Sequence, residues 1–174
     1  MSDSESVRTA FQRAVNLLTI RPAKGQRTYV STATLTDGVL CRVEEKGHVT
    51  VSDLPQAMGG SDKGPSPSAL LRAALGSCTA IGIKMWAARR DVPVRLIEVA
   101  VETDVDARGQ FGMADHITPG FEAIRLAIRV CSPASRETIE GIVSASLRYS
   151  PLMEVFSQSQ RVETRLTLET GDAQ

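Results

Sequence analysis

The stretch "SPSALLRAALGSCTAIGIKMWAARRDVP", from Ser66 to Pro93, decides the fold. Ser66 is a favourable helix cap, because its hydroxyl can accept from a free amide of the first turn, and Pro67 is tolerated at the first helical position. Asp91 and Pro93 stop the helix, so it is predicted to run from Pro67 to about Arg90. Between Leu70 and Ala88 only Arg72 and Lys84 are charged, and the small residues Ala73, Ala74, Gly76, Ser77, Ala80 and Gly82 fall on every face. A helix apolar all round must be covered all round, and small residues let neighbouring backbones come close. A single chain of this length would struggle to wrap it, so the expected cover is a second copy of the same chain, in a two-fold dimer.

The flanking sequence supplies the other elements. "SVRTAFQRAVNLL" places Val7, Phe11, Val15 and Leu18 at helical spacing and predicts a short amphipathic helix that docks on the body or on the other subunit. From Thr28 the period changes, and the segment to Pro55 is rich in Val and Thr. It is punctuated by Asp37-Gly38 and Lys46-Gly47, which predicts three short antiparallel strands joined by hairpin turns. "QAMGGSDKGPSPS" reads as a loop. Beyond the long helix, "VRLIEVAVETDVD" and "FEAIRLAIRV" alternate as two longer strands with a polar connection. A second helix follows, with Ile139, Ile142, Val143 and Leu147 on one stripe. Ser150-Pro151 then starts a short helix, and "RVETRLTLET" is expected to close the chain as a strand. The expected fold is α+β, curled antiparallel strands around one apolar helix, in one domain over residues 1–174 with residues 1–20 as a helical extension.

Composition narrows the function classes. Twenty Lys and Arg balance twenty Asp and Glu, so no strong field draws nucleic acid or an anionic membrane. No basic region followed by an apolar run opens the chain, and no later stretch suits a bilayer, so a cytoplasmic location is expected. The three cysteines, Cys41, Cys78 and Cys131, are too widely spaced for a zinc site and odd in number for a disulfide framework. His48 and His116 stand alone and read as surface or strand polarity. "MGGSDKG" lacks the spacings of a phosphate loop. No metal and no cofactor are expected.

Cys78 has two readings from the residues alone. A free cysteine on such a helix packs as a small hydrophobe. A reactive one needs its thiolate. Burial disfavours the charged form, and about three turns from the helix start the dipole is too remote to help, so a nearby cation would have to stabilise it through tertiary contact. Trp86, two turns further on, is expected to pack in the interface or line a pocket.

The segment "SDLPQAMGGSDKGPSPSALLRAALGSCTAIGIKMWAARRDVPV" resembles the signature of the OsmC/Ohr family, and the order of strand, helix and strand after it agrees from Thr28 to Leu168. The resemblance implies an intertwined homodimer in which strands from both subunits surround two central helices, with active sites at the interface. It also implies reduction of organic hydroperoxides. A reactive cysteine on the buried helix becomes a sulfenic acid, a second cysteine in a "CP" step condenses with it, and an external dithiol reduces the disulfide. Arg and Glu side chains hold the thiolate and the peroxide.

Carried over position by position, Cys78 matches the peroxidatic cysteine. The resolving position falls on Ser150, whose hydroxyl cannot form a disulfide, and the helix-start carboxylate falls on Ser68. For the Arg, Arg42 in "GVLCRVEE" is the best candidate, with Arg27 behind it. Cys41 lies beside Arg42 but on the opposite strand face, and Cys131 ends a later strand; both are expected as half-buried strand cysteines. The resemblance therefore implies a hydroperoxide reductase that uses Cys78 alone and an external thiol or dithiol. The alternative is a non-catalytic dimer that binds a small hydrophobic ligand at its interface. A guanidinium in reach of the Cys78 sulfur, and a pocket open beside it, are the features that separate them.

Overall fold

Ser66 caps the long helix as its sequence predicts, its side chain accepting from the amide of Ala69 at 3.3 Å, with Pro67 in the first turn. The computed structural model describes residues 3–168, and the chain runs α1 (Asp3–Ile20), β1 (Thr32–Thr34), β2 (Cys41–Glu45), β3 (His48–Ser52), α2 (Pro67–Arg89), β4 (Leu96–Val105), α3 (Ala107–Gln110), β5 (Phe121–Cys131), α4 (Arg136–Arg148) and α5 (Pro151–Ser157). Arg90 ends α2, and Asp91 takes a left-handed conformation at φ 56° that turns the chain toward β4. No helix among the described residues is long and apolar enough to cross a membrane.

The strands are antiparallel throughout and form two sheets within the chain, β1-β2-β3 and β4-β5. Lys46 and Gly47, at φ 50° and 80°, make the tight turn between β2 and β3, a conformation that glycine adopts without steric cost. In the longer pair Leu96 stands opposite Cys131 and Glu102 opposite Arg125. Alternation gives this ribbon two unlike faces. On one, Ile97, Ile128 and Val130 pack against the buried cluster of Ile83 and Ala87 from α2 and Ile142 from α4. On the other, Arg125 bonds Asp104 at 2.6 Å and Glu102 at 3.2 Å, and Arg129 pairs with Glu98. The Arg125 guanidinium holds the Asp104 carboxyl below its ordinary range.

The cover over α2 is one-sided. Leu75, Thr79, Ile83 and Ala87 are buried, whereas Leu71, Ile81 and Met85 lie on a face that is 37%, 60% and 36% exposed. Among the described residues the three-stranded sheet makes no extensive packing contact with a helix, and its main contacts are between its own strands. Helices α4 and α2 meet at Gly82, where a Cβ would fall 2.5 Å from Oγ of Ser146 and displace the hydroxyl that donates to the carbonyl of Thr79. Helix α1 lies on α2, tethered at one end by an ion pair from Arg8 to Asp91 at 2.7 Å. Its predicted stripe divides, Val7 and Phe11 being half-buried while Val15 and Leu18 are about two-fifths exposed.

The expected closing strand is a correction. Residues 158–168 form no ladder, and Val162, Leu166 and Leu168 are largely exposed, while the end of that segment lies outside the described residues. Alternation can shape an extended segment, but a strand exists only where another edge supplies hydrogen bonds, and among the described residues none pairs with it.

Candidate active site

Cys78 is placed by the middle of α2 and Ser150 by the join between α4 and α5. Ser150 is itself a cap: its hydroxyl accepts from the amide of Met153 at 3.2 Å, and Pro151 opens the short helix behind it. With α4 packed along α2, the end of α4 arrives beside Cys78, and Oγ of Ser150 comes within 3.5 Å of the Cys78 sulfur. Ser150 is 7% exposed and the thiol is half-buried and free.

The pair lies in the wall of a cavity of about 450 Å³. Its other lining is mainly apolar: Phe11 from α1, Ile81, Met85 and Trp86 from α2, Tyr149 and Pro151 from the far side. The Trp86 and Tyr149 rings stack with centroids 5.3 Å apart, and Phe11 meets Trp86 edge-on at 5.9 Å. The Arg89 guanidinium lies over both Phe11 and Trp86, at 5.1 and 4.9 Å, and clamps the aromatic group by cation–π contact. A volume of this size suits a small organic molecule whose apolar part sits among the rings while a polar end faces the Cys78 thiol and the Ser150 hydroxyl.

The other candidates lie elsewhere in the chain. Arg42 stands on β2, half exposed, and pairs with Glu44. Arg27 donates to the carbonyl of Lys24 at 3.1 Å. Ser68 is exposed and lines a separate cavity with Arg72, whose guanidinium reaches Thr103 at 3.1 Å. Among the described residues, Ser150 is the hydrogen-bond partner of the Cys78 sulfur, and no guanidinium bonds it within one chain. Cys41 stands opposite Ser52 and Cys131 opposite Leu96, where Arg95 donates to its sulfur at 3.5 Å; both are half-buried and free, as expected.

Three residues of the site and one of the loop before α2 are not legible in the sequence as such. Tyr149 and Ser146 follow from the α4 stripe only when α4 is known to lie on Gly82. Phe11 belonged to a stripe whose docking partner was open. Asp53 was legible only as the end of a strand: it is 2% exposed, and its carboxylate accepts from the amides of Leu54 at 2.8 Å, Ser61 at 3.0 Å and Lys63 at 3.1 Å. These bonds, that from Lys63 first, hold the carboxyl below its ordinary range against the opposing effect of burial. They fold residues 53–64 into a fixed loop, and Ser52 bonds Pro65, so the start of α2 is anchored to β3.

A family model described as OsmC-like protein matches residues 60–165, more than half of the chain, and the chain belongs to that family. Solved structures of the same fold include an OsmC-like protein from Mycoplasma pneumoniae, 18% identical with a TM-score of 0.66, covering 77% of this chain and 90% of that one. An organic hydroperoxide resistance protein from Elizabethkingia anophelis is 14% identical with a TM-score of 0.59, covering 77% and 91%. An organic hydroperoxide resistance protein OsmC from Legionella pneumophila is 17% identical with a TM-score of 0.54, covering 75% and 89%. No curated protein matches the chain.

Proposed function

We propose that the protein is a thiol peroxidase that reduces small organic hydroperoxides with Cys78 as its sole reacting cysteine. The observation that supports this most is the free Cys78 thiol in the wall of an apolar cavity, with the Ser150 hydroxyl 3.5 Å away. In the proposed reaction the thiolate attacks one peroxide oxygen, the O–O bond breaks, and the alkoxide leaves and takes a proton to become the alcohol. Cys78 is left as the sulfenic acid, which Ser150 can hold by a hydrogen bond but cannot trap as a disulfide. An external thiol attacks that sulfur and water departs; a second thiol then releases Cys78 from the mixed disulfide.

The reaction needs a cation that one chain does not bring to Cys78. Its proposed source is Arg42 of a second copy, in a homodimer that covers the open end of α2 at Leu71. Sedimentation should therefore give a dimer, and Leu71→Asp, outside the Cys78 cavity, should shift it toward monomer with loss of activity. A monomer for the unaltered chain would refute this arrangement.

A second reading rests on the cavity itself. With a nearly apolar wall and, among the described residues, no guanidinium bonded to Cys78, the cavity would suit a hydrophobic ligand held without chemistry. Turnover decides between the two. With a dithiol reductant, the protein should consume cumene hydroperoxide faster than hydrogen peroxide, and Cys78→Ser should abolish consumption. Saturable binding of the organic molecule with no consumption would favour the second reading.

A further inference from the structure

Phe11 enters the Cys78 cavity from α1, which lies outside the residues matched by the family model. On its other side the same ring helps to line a second apolar cavity of about 560 Å³, a groove between α1 and α2 that contains Val7, Ala14, Val15 and Leu18. Ile81 and Met85 also line both spaces, but they belong to α2 and form its floor; Phe11 is the part of the shared wall supplied by the facing helix. The ring is held by its edge contact with Trp86 and by the Arg89 guanidinium above it. The exposure of Val15 and Leu18 in an otherwise apolar groove leaves uncovered surface next to the chemistry.

We infer that Phe11 is a specificity-determining residue: it closes the Cys78 cavity toward the α1–α2 groove and so limits the length of the apolar group that can approach the thiol. This deepens the reading above and rests on Cys78 being the reacting group. Compact aryl or short alkyl groups fit beside Trp86 and Tyr149. Longer alkyl chains must pass the position of the Phe11 ring to reach the groove, where Val15 and Leu18 would cover them.

Alkyl methanethiosulfonates test this without any peroxide. The Cys78 thiolate attacks the sulfenyl sulfur, methanesulfinate leaves, and an alkyl disulfide forms whose rate is read at the Cys78 peptide by mass spectrometry. The octyl-to-methyl rate ratio should rise about tenfold in Phe11→Ala, a difference within what an apolar pocket can discriminate. Phe11→Trp, which keeps the apolar contact with Trp86, should lower the ratio and serves if the alanine variant does not fold. An unchanged ratio in the folded variants overturns the inference, as does equal acceleration of both reagents, which would mean that α1 had undocked. Failure of the peroxidase reading looks different: Cys78 would give no sulfenic acid with hydroperoxide while the octyl ratio still responded to Phe11.

Discussion

The Cys78 sulfur and the Ser150 hydroxyl oxygen lie 3.5 Å apart although 72 residues separate them in the chain. One sits in the middle of α2 and the other caps α5, and the packing of α4 along α2 brings them together. That contact fixes what Ser150 does: it bonds to sulfur but cannot be oxidised with it.

Ser150→Cys should therefore convert the proposed one-cysteine chemistry into a two-cysteine cycle. After one equivalent of cumene hydroperoxide, the variant should lose two thiols and yield a cross-link between Cys78 and the introduced sulfur on a non-reducing peptide map. The unaltered chain should lose one thiol. The variant should also melt slightly lower, because the cap on Met153 is weakened by about 1 kcal/mol or less. Absence of the cross-link would mean that the two positions do not approach in solution as they do here.

Arg42→Ala tests the source of the cation. Its pairing with Glu44 is exposed and contributes little to stability, about 0–1 kcal/mol, so the melting temperature should scarcely move. Sulfenic acid formation at Cys78 should nevertheless slow by about tenfold or more, the expected effect of removing a charge-assisted hydrogen bond from a thiolate. An unaltered rate would exclude Arg42 from the reaction.

Much of this arrangement was legible before any coordinates. The Ser66-Pro67 start of α2, the Lys46-Gly47 turn and the alternating β4 and β5 each follow from local chemistry, in which a hydroxyl cap, a left-handed residue or a period of two leaves few choices. The juxtaposition of Cys78 with Ser150 was implied by family resemblance, since no local rule brings together residues so far apart. The closing strand failed for the complementary reason. Its alternation is visible in Val162, Leu166 and Leu168, but a strand needs a partner edge, and local pattern carries no information about which edge is free. Asp53 was passed over because its three amide donors come from a loop whose path only the folded backbone defines.

The buried cluster under the site sets stability. Ile83 is fully buried between α2, β4 and α4, so Ile83→Ala should cost about 2–5 kcal/mol through lost transfer energy and the cavity left behind. Urea unfolding monitored through Trp86, which packs on the same cluster, reads this directly. A change under about 1 kcal/mol would show that the cluster collapses to fill the gap.

Asp53 gives the loop a defined acid sensitivity. Its folded carboxyl titrates below the ordinary value of 3.8, so the unfolded chain takes up the proton first as pH falls. The contribution to stability is fully present above that value and is lost as pH drops through the folded one. Melting temperatures of the unaltered chain and Asp53→Asn should differ by a constant amount from pH 7 to about pH 5 and converge at lower pH. A difference that stays constant down to pH 2.5 would mean that ionisation of Asp53 is not what sets the acid sensitivity of the loop.

The proposed peroxidase chemistry requires that Cys78 react as a peroxidatic thiol. The direct measurement is stopped-flow addition of cumene hydroperoxide to the reduced protein, with a dimedone-type reagent to trap sulfenic acid and peptide mapping to locate it. Cys41, a half-buried strand thiol in the same molecule, serves as the internal reference, and Cys131, which accepts from Arg95, is followed beside it. Rapid labelling at Cys78, far ahead of Cys41 and lost in Cys78→Ser, is the predicted result. Labelling of Cys78 no faster than of Cys41 would contradict it and leave the thiol as part of the wall of a ligand-binding cavity.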